Sequence, residues 1–494
     1  MKVVLVNPGG AGSWQGDVAV KNTQYMFPYS IIYLQNYLLK QNVESIVIDL
    51  FHEKVEDALL HCSDPDRLIL GVTSQSFTRY EAIDFIKKVK ALSPNTFAVV
   101  GGNHFGFCAK ETLEKVPEID AVARGEGEKT FYELVKTLSE DGEGDLSRID
   151  GITYKENDTI IANRDRDPER DIENFSLDFD RLPTKNFRRG VFLRNFENEG
   201  IRSLPIHFAR GCTRKCVFCS FGLTAYRVRR VEKVIEEIIR LKERFGCNYF
   251  TISDPSFCER KPFVKDFCER VIKDRIDIKW YCEARVDTPL DLLQLMAEAG
   301  CVSLDFAIES GSEKVLKAIR KNINIPQALE FARECKNLGI RTLVFLMVSL
   351  PDEKEEDAME TLKVTEQLSR YTKYTTLSVA QIVPGTELEK LARERNILPK
   401  DFSWYDQRFH HAYSDLAYEN LPIYLENLSV DFIRKFKKEF NALNDRSFTT
   451  LPDLVRMMKK GMRRIPNQPL TKTVEDIKTF SQRVYNKITQ QKHN

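Results

Sequence analysis

The sequence predicts an α/β protein built as a doubly wound parallel sheet, then a partial barrel of six β/α units, then a helical C-terminal region. Three observations predict it. Short apolar runs alternate with amphipathic stretches through the first 125 residues, the pattern of parallel strands covered by helices on both faces. From about 141 to 200 the chain becomes charge-dense and punctuated by Gly and Asp, as in Asp165–Asp171 and Arg188–Gly190, which marks a boundary. After it a second series of strand-like and helical stretches begins.

Taken in order, Lys2–Val6, Val43–Leu50, Leu68–Thr73, Phe97–Gly101 and Ile119–Ala123 read as five buried strands. Between them Ile31, Leu34, Tyr37 and Leu38 share one helical face, as do Ile83, Ile86 and Val89. The turns after these strands are rich in Gly and small polar residues: Asn7-Pro8-Gly9-Gly10, Thr73-Ser74, Gly101-Gly102-Asn103-His104 and Arg124-Gly125-Glu126-Gly127-Glu128. In open α/β sheets that edge binds ligands. One hairpin is expected near Gly151–Ile161 within the linker. The second series places strands at Ser203–Ala209, Asn248–Ser253, Ile278–Ala284, Val302–Ile308, Arg341–Leu350 and Thr375–Ile382. Six such units fit a partial or complete parallel barrel. Helices follow at Val430–Leu443 and Leu451–Arg464. The expected division is therefore 1–140, a linker over 141–200, a core over 201–400 and a helical region over 401–494.

Composition narrows the class. The chain has 494 residues, 42% of them hydrophobic and 30% charged, so disorder and collagen-like repeats are excluded. Lys+Arg 74 against Asp+Glu 73 leaves a net charge of +1, too balanced for nucleic-acid binding by a whole-chain basic footprint. The ten Lys/Arg and three Asp/Glu from Leu451 to Asn494 read as a solvated helical face, with a binding patch for an acidic substrate or partner as the alternative. Met1–Pro8 lacks the apolar region of an export leader, and the strongly apolar stretch Leu343–Leu350 is far too short to span a bilayer. Eleven Cys, an odd number, argue for thiols or metal ligands in a reducing compartment, so a cytoplasmic location is expected.

Cys212-Thr-Arg-Lys-Cys216-Val-Phe-Cys219 is the most specific feature, three thiols within eight residues directly after a predicted strand. Closed structural zinc sites take four protein ligands, and no fourth Cys or His stands at finger-like spacing. A 4Fe-4S cluster held by three Cys leaves one iron open, as a substrate-binding cluster requires. Iron–sulfur is the expectation, over zinc or coincidental buried cysteines. The remaining Cys residues show no Cys-x-x-Cys spacing and read as small buried hydrophobes, with Cys258 and Cys282 near strand ends as candidate hydrogen donors.

With this spacing and an aromatic, Phe218, before the third Cys, residues 200–400 resemble the radical S-adenosylmethionine superfamily. The resemblance implies that Cys212, Cys216 and Cys219 ligate a 4Fe-4S cluster whose open iron chelates the methionyl group of S-adenosylmethionine. The family often has Gly-Gly-Glu after the second strand; here Ser253-Asp254-Pro255 stands there, which leaves Asp254 as a candidate for the amino group. Cys282-Glu283-Ala284-Arg285-Val286-Asp287 and Ile308-Glu309-Ser310-Gly311-Ser312 match the ends of the third and fourth strands. Glu309 and Ser310 are thereby candidates for the ribose or amino group, and Lys321 for the carboxylate, with a structural Glu309–Lys321 salt bridge as the alternative. Ser349-Leu350-Pro351 and Val383-Pro384-Gly385-Thr386 resemble the ends of strands five and six, or are simple turns.

The sheet ahead of this core resembles the cobalamin-binding domain of the class that carries B12, a Rossmann-like fold ahead of a partial TIM barrel. The resemblance rests on Val99-Val100-Gly101-Gly102-Asn103-His104 and Arg124-Gly125-Glu126-Gly127-Glu128. Ser74, Gly101, Gly102, Gly125, Glu126 and Gly127 are the implied cofactor-binding residues. Gly9 stands where methionine-synthase-like domains carry a cobalt-ligating histidine, so this loop supplies none. His104 is expected to make a hydrogen bond or sit in a turn, and is not assigned as an axial ligand. Dinucleotide binding is the rival, weakened because Gln15 breaks the G-x-G-x-x-G pattern; a degenerate packing domain is another.

The resemblance implies a B12-dependent radical enzyme, a methyltransferase at an unactivated carbon or phosphorus centre, consuming two S-adenosylmethionine molecules. Alternatives are a radical rearrangement or oxidative cyclisation without net methylation, and a non-catalytic sensor. Implied partners are a small-molecule or peptide substrate and an electron donor such as flavodoxin or ferredoxin. Phe402, Trp404 and Tyr405 are expected in the core, or else in a substrate lid.

Overall fold

The computed structural model describes residues 1–9, 28–51, 53–63, 67–140, 144–177, 191–192, 202–372 and 374–447. The expected helix at 451–464, the basic tail, Gln15 and the loop beyond Gly9 lie outside them.

The first sheet has seven strands: β1 (Lys2–Asn7), β2 (Ile46–Asp49), β3 (Leu68–Thr73), β4 (Phe97–Gly101), β5 (Ala121–Ala123), β6 (Ile152–Glu156) and β7 (Thr159–Ala162). Their order is β2-β1-β3-β4-β5-β6-β7. β1 to β5 are parallel, in register such as Val4↔Ile46 and Ile69↔Phe97. Val4, Leu5, Ile69 and Leu70 have no more than trace exposure, which is why these strands read as continuous apolar runs. Residues 152–162, read as part of a linker, form a hairpin that extends this sheet by antiparallel pairing of β6 with β5. Ile152 and Tyr154 bury one face against the same core, and that burial draws the hairpin out of the linker.

The second sheet contains β8 (Val191–Phe192), β9 (Arg202–Ile206), β12 (Tyr249–Ile252), β13 (Lys279–Glu283), β14 (Cys301–Glu309), β15 (Arg341–Val348) and β16 (Tyr374–Val379). A two-stranded ladder of β10 (Ala209–Arg210) and β11 (Arg227–Val228) stands apart from it. The order β16-β15-β14-β13-β12-β9-β8 has six parallel strands in sequence order and one antiparallel edge, an open partial barrel. β15 stops two residues before the apolar run does, because Ser349 takes a left-handed backbone (φ 69°) ahead of Pro351.

Helix Val231–Phe245 shows how the covering layer forms. Val231, Val234, Ile235, Ile238 and Leu241 bury one stripe, and Gly246 ends the helix at φ 61°, donating its N–H to the Lys242 carbonyl at 2.9 Å. Beneath it Phe208, Phe257, Phe263, Phe267 and Trp280 interlock edge-to-face, each such pair contributing about 1 kcal/mol beyond its buried area. One apolar cluster runs through both sheets, so the two units pack as one body.

Residues 401–429 cross back over the first unit before helix Val430–Ser447. The buried Arg79 donates to the Trp404 carbonyl at 3.0 Å and the Asn420 carbonyl at 2.6 Å. Phe77 stacks on Tyr418 at 5.1 Å, and His410 Nε2 is 2.9 Å from the Tyr80 hydroxyl. Trp404 is 2% exposed and packs with Leu388, Leu398 and Tyr424. Trp404 and its neighbours Phe402 and Tyr405 are thereby part of a packed strap.

Candidate functional site

The cysteine loop occupies residues 211–226, closed at its base by β10 and β11, with Ala209 opposite Val228 and Arg210 opposite Arg227. A β-carbon on Gly211 (φ 75°) would lie 2.5 Å from the Thr224 and Ala225 carbonyl oxygens, and one on Gly222 would lie 2.0 Å from that of Arg214. The loop folds back on itself through those two glycines. Cys212, Cys216 and Cys219 are all free and half-buried. Cys212 Sγ accepts the Arg214 N–H at 3.5 Å, and Cys219 accepts from the amides of Phe221 and Gly222. Burial nevertheless pushes the Cys212 and Cys219 thiols up, which a bound cationic centre reverses. Among the described residues no three His, Cys, Asp or Glu side chains converge on one ion position. The three thiols on one loop, with backbone amides on the Cys212 and Cys219 sulfurs, are a donor set that would suit an iron–sulfur cluster. Phe218 packs beside the apolar group of Val217, Leu316 and Ile319.

Two strand ends frame the loop. Asp254, after β12, is buried, and its carboxylate accepts the Phe208 N–H at 2.8 Å and that of Ala209. Burial raises its pKa to about 7 against the lowering effect of those amides. The carboxylate thus holds the chain entering β10, while its neighbours Ser253 and Pro255 line the cleft described below. At the end of β14, Glu309 has φ 73° and accepts from Lys321 Nζ at 2.9 Å, both side chains buried. Ser310 is also buried, its Oγ accepting the Ser312 N–H at 3.1 Å. Arg285 donates to the Lys321 carbonyl at 3.0 Å and to Asp287 at 3.1 Å, and Arg214 donates to Asp287 at 3.2 Å and Glu259 at 3.1 Å. This run of charges links the cysteine loop to the Glu309–Lys321 pair. Arg285 and Asp287 belong to the motif that ends the third barrel strand, but their link to Arg214 and Glu259 has no sequence signal; the four meet only when three strand ends come together.

A cleft of about 780 Å³ lies between the two sheets. Gly101, Gly102, Gly125, Glu126 and Gly127 line one side; His207, Arg210, Gly211, Phe221 and Ser253 line the other. A β-carbon on Gly125 or Gly127 would meet nothing within 4 Å, and one on Gly101 nothing nearer than 3.5 Å. The bare backbone there faces open space, as a flat macrocycle requires. Gly102 is different: at φ 85° its β-carbon would lie 2.7 Å from the Ser74 carbonyl oxygen. Ser74 sits behind the turn, fully buried, donating its hydroxyl to the Gln75 carbonyl at 2.7 Å. His104 is also turned from the cleft, with Nδ1 3.0 Å from Ser76 Oγ and its ring against Phe105, Trp404 and Tyr405. Burial holds it well below the usual histidine range, and therefore neutral.

The cleft wall contains a group that sequence pattern did not reveal. His207 lies edge-on to Tyr29 at 4.0 Å and to Tyr33 at 5.6 Å, the Tyr33 hydroxyl 3.4 Å from its Nδ1. Tyr29 in turn hydrogen-bonds Ser253 across the two units. Burial, then Arg210 and Arg229, lower the His207 pKa to about 3. Cys258 and Cys282, by contrast, are buried in the barrel, with the Cys258 thiol pushed up to about 12 by burial; neither lines the cleft.

Comparison with known proteins agrees with this geometry. Residues 206–365 match the radical SAM superfamily and residues 17–135 the B12 binding domain. An uncharacterized methyltransferase of Pyrococcus horikoshii is 30% identical over 406 residues, covering 81% of this chain and 84% of its own. The anaerobic magnesium-protoporphyrin IX monomethyl ester cyclase of Cereibacter sphaeroides is 28% identical over 74% of this chain and 59% of its own. The structure of the radical S-adenosylmethionine methyltransferase TsrM from Kitasatospora setae, with cobalamin and a [4Fe-4S] cluster bound, superposes with a TM-score of 0.69 at 16% identity, covering 90% of this chain and 89% of that one.

Proposed function

Because this chain belongs to the cobalamin-binding radical S-adenosylmethionine family of enzymes, we propose that it methylates an unactivated carbon or phosphorus centre of a small-molecule or peptide substrate. The observation that carries this reading is a cleft bounded in common by the glycine turns of the first sheet and by Gly211 and Phe221 of the cysteine loop. The bound cofactors supply hydrogen-atom abstraction and a transferable methyl group. The chain's own residues hold, orient and shield.

Cys212, Cys216 and Cys219 hold the cluster, with the amides of Arg214, Phe221 and Gly222 on their sulfurs and Phe218 packed beneath. Glu309, Ser310 and Lys321, buried together at the end of β14 and outside the cleft lining, would meet the amino acid head and ribose of S-adenosylmethionine once the Glu309–Lys321 pair opens to it. Asp254 fixes the chain before the loop through two amides. Gly101, Gly125 and Gly127 leave room for the corrin, Glu126 stands between the last two, and Ser74 supports the turn behind Gly102. Tyr29, Tyr33 and His207 wall the cleft between the two units, where they would position substrate and exclude water. A one-electron donor of flavodoxin or ferredoxin type and a reducing cytoplasm complete the reading. Among the described residues no helix is long and apolar enough to cross a membrane.

The test is anaerobic reconstitution with iron, sulfide and hydroxocobalamin, desalting, then reduction with S-adenosylmethionine. Near-stoichiometric corrinoid with formation of both 5′-deoxyadenosine and S-adenosylhomocysteine is expected. Retained corrinoid and 5′-deoxyadenosine without S-adenosylhomocysteine favours the second reading, an oxidative cyclisation, which the 28% identity to the cyclase supports. A protein with an intact cluster and no retained corrinoid overturns both.

A further inference from the structure

Glu126 occupies an unusual place in the molecule. It stands between Gly125 and Gly127, whose β-carbons would meet nothing within 4 Å, so its backbone is part of the open cradle. Its side chain, however, crosses to the other unit. There it accepts two hydrogen bonds from Arg227, at 2.5 and 3.0 Å, and lies 3.5 Å from Arg210. Those two arginines are the directly opposed pair of the β10–β11 ladder. That ladder closes the base of the loop carrying all three thiols, and Arg210 lies two residues before Cys212.

Like charges directly opposite one another destabilise an antiparallel pair. In a ladder of only two residue pairs the single neighbouring pair, Ala209 opposite Val228, does little to offset that cost. The offset comes from the other unit: Glu126 takes both arginines, and Glu128 accepts from Arg210 at 2.6 Å. The Arg210 guanidinium also lies 4.5 Å over the Phe175 ring, which limits its movement. Arg227 is further tied to the Glu169 carbonyl at 2.7 Å. All four charged groups are mostly buried, their side chains no more than 20% exposed, so screening is weak and the geometry is shared by both sites.

We infer that Glu126 is a positioning residue that couples occupancy of the glycine cradle to closure of the cysteine loop. Resting on the reading that the cradle holds a corrinoid, the inference makes bound corrinoid protect the cluster, and the cluster in turn strengthen corrinoid binding. Glu126 touches no reacting atom; it acts through Arg210 and Arg227.

The experiment uses the full chain, reconstituted with its cluster, with and without hydroxocobalamin, and challenged anaerobically with an iron chelator. The readout is the ratio of cluster-loss rates without and with corrinoid. In the wild type corrinoid is expected to slow loss several-fold; in Glu126→Gln the ratio falls to near one. A general loosening of the fold raises both rates and leaves the ratio intact. Arg227→Gln removes the same contact from the opposite side and gives the same result, and it decides the matter if Glu126→Gln yields no soluble protein. Glu126→Asp, which keeps the charge, restores part of the protection. An unchanged ratio in the variants, or corrinoid retained by the wild type without protection, overturns the inference alone. A wild type that retains no corrinoid overturns the cradle reading and the inference with it, and the desalted protein's visible spectrum tells these cases apart.

Discussion

Cys216 lies at the centre of a loop whose shape depends on Gly211, Gly222 and the Arg214 and Cys219 amides, none of which its side chain supports. Cys216→Ala therefore removes a proposed ligand without removing the loop. Iron content and the cluster's visible absorbance should fall to background, with 5′-deoxyadenosine formation abolished and the melting temperature of the apoprotein unchanged. His207 gives a prediction in pH. Its folded pKa, lowered to about 3 from 6.5, means the native state stays neutral while the unfolded chain takes up a proton as pH falls. The stability this histidine contributes is complete above about pH 6.5 and is lost as pH falls towards 3. In His207→Gln that loss disappears. Chemical denaturation from pH 4 to 6.5 should show the wild type gaining on the variant by up to about 1.4 kcal/mol per pH unit. Of these two residues, only the cysteine stands out in the sequence as a candidate ligand, because it shares a short local spacing with two others. His207 acquires its meaning from Tyr29 and Tyr33, which are distant in the chain.

The strands were legible because parallel strands buried on both faces are unbroken apolar runs, and β3 and β4 fall where those runs fall. β8 has two residues, too few for any period. The hairpin of β6 and β7 was visible as a hairpin, yet its place in the first sheet was not, since the pairing of Ala121 with Tyr154 leaves no local trace. The glycine turns were legible as a set, but their separate roles were not. Gly102 serves the backbone, whereas Gly127 opens helix Gly127–Glu140 onto the cleft with nothing within 4 Å of an added β-carbon. Gly127→Val should accordingly leave thermal stability within about 0.5 kcal/mol, as surface changes do, while corrinoid retained after desalting falls several-fold. Retention equal to wild type would place the macrocycle elsewhere.

Across the whole molecule, the strap of residues 401–429 joins the first unit to the last helix through Arg79. Arg79 is 2% exposed, and its guanidinium donates to the carbonyls of Ser76, Trp404 and Asn420. Hydrogen bonds to a charged group contribute about 1.5–3 kcal/mol each. Arg79→Met should lower stability by roughly 3 kcal/mol or more and expose the strap to limited proteolysis between residues 400 and 430, with cluster content unchanged. Sequence pattern left the strap's aromatic residues open between core and lid, because Trp404 and Tyr405 find their partners, among them His104 and Thr112, nearly three hundred residues away.

The three thiols sit within eight residues, so gathering them closes only very short loops and costs little chain entropy. The glycine cradle, in contrast, draws Gly101 and Gly127 from two separate crossovers and exists only once β3, β4 and β5 have paired. On the proposed reading, the thiols come together through local closure alone, whereas a corrin has no cradle to enter until that sheet is finished.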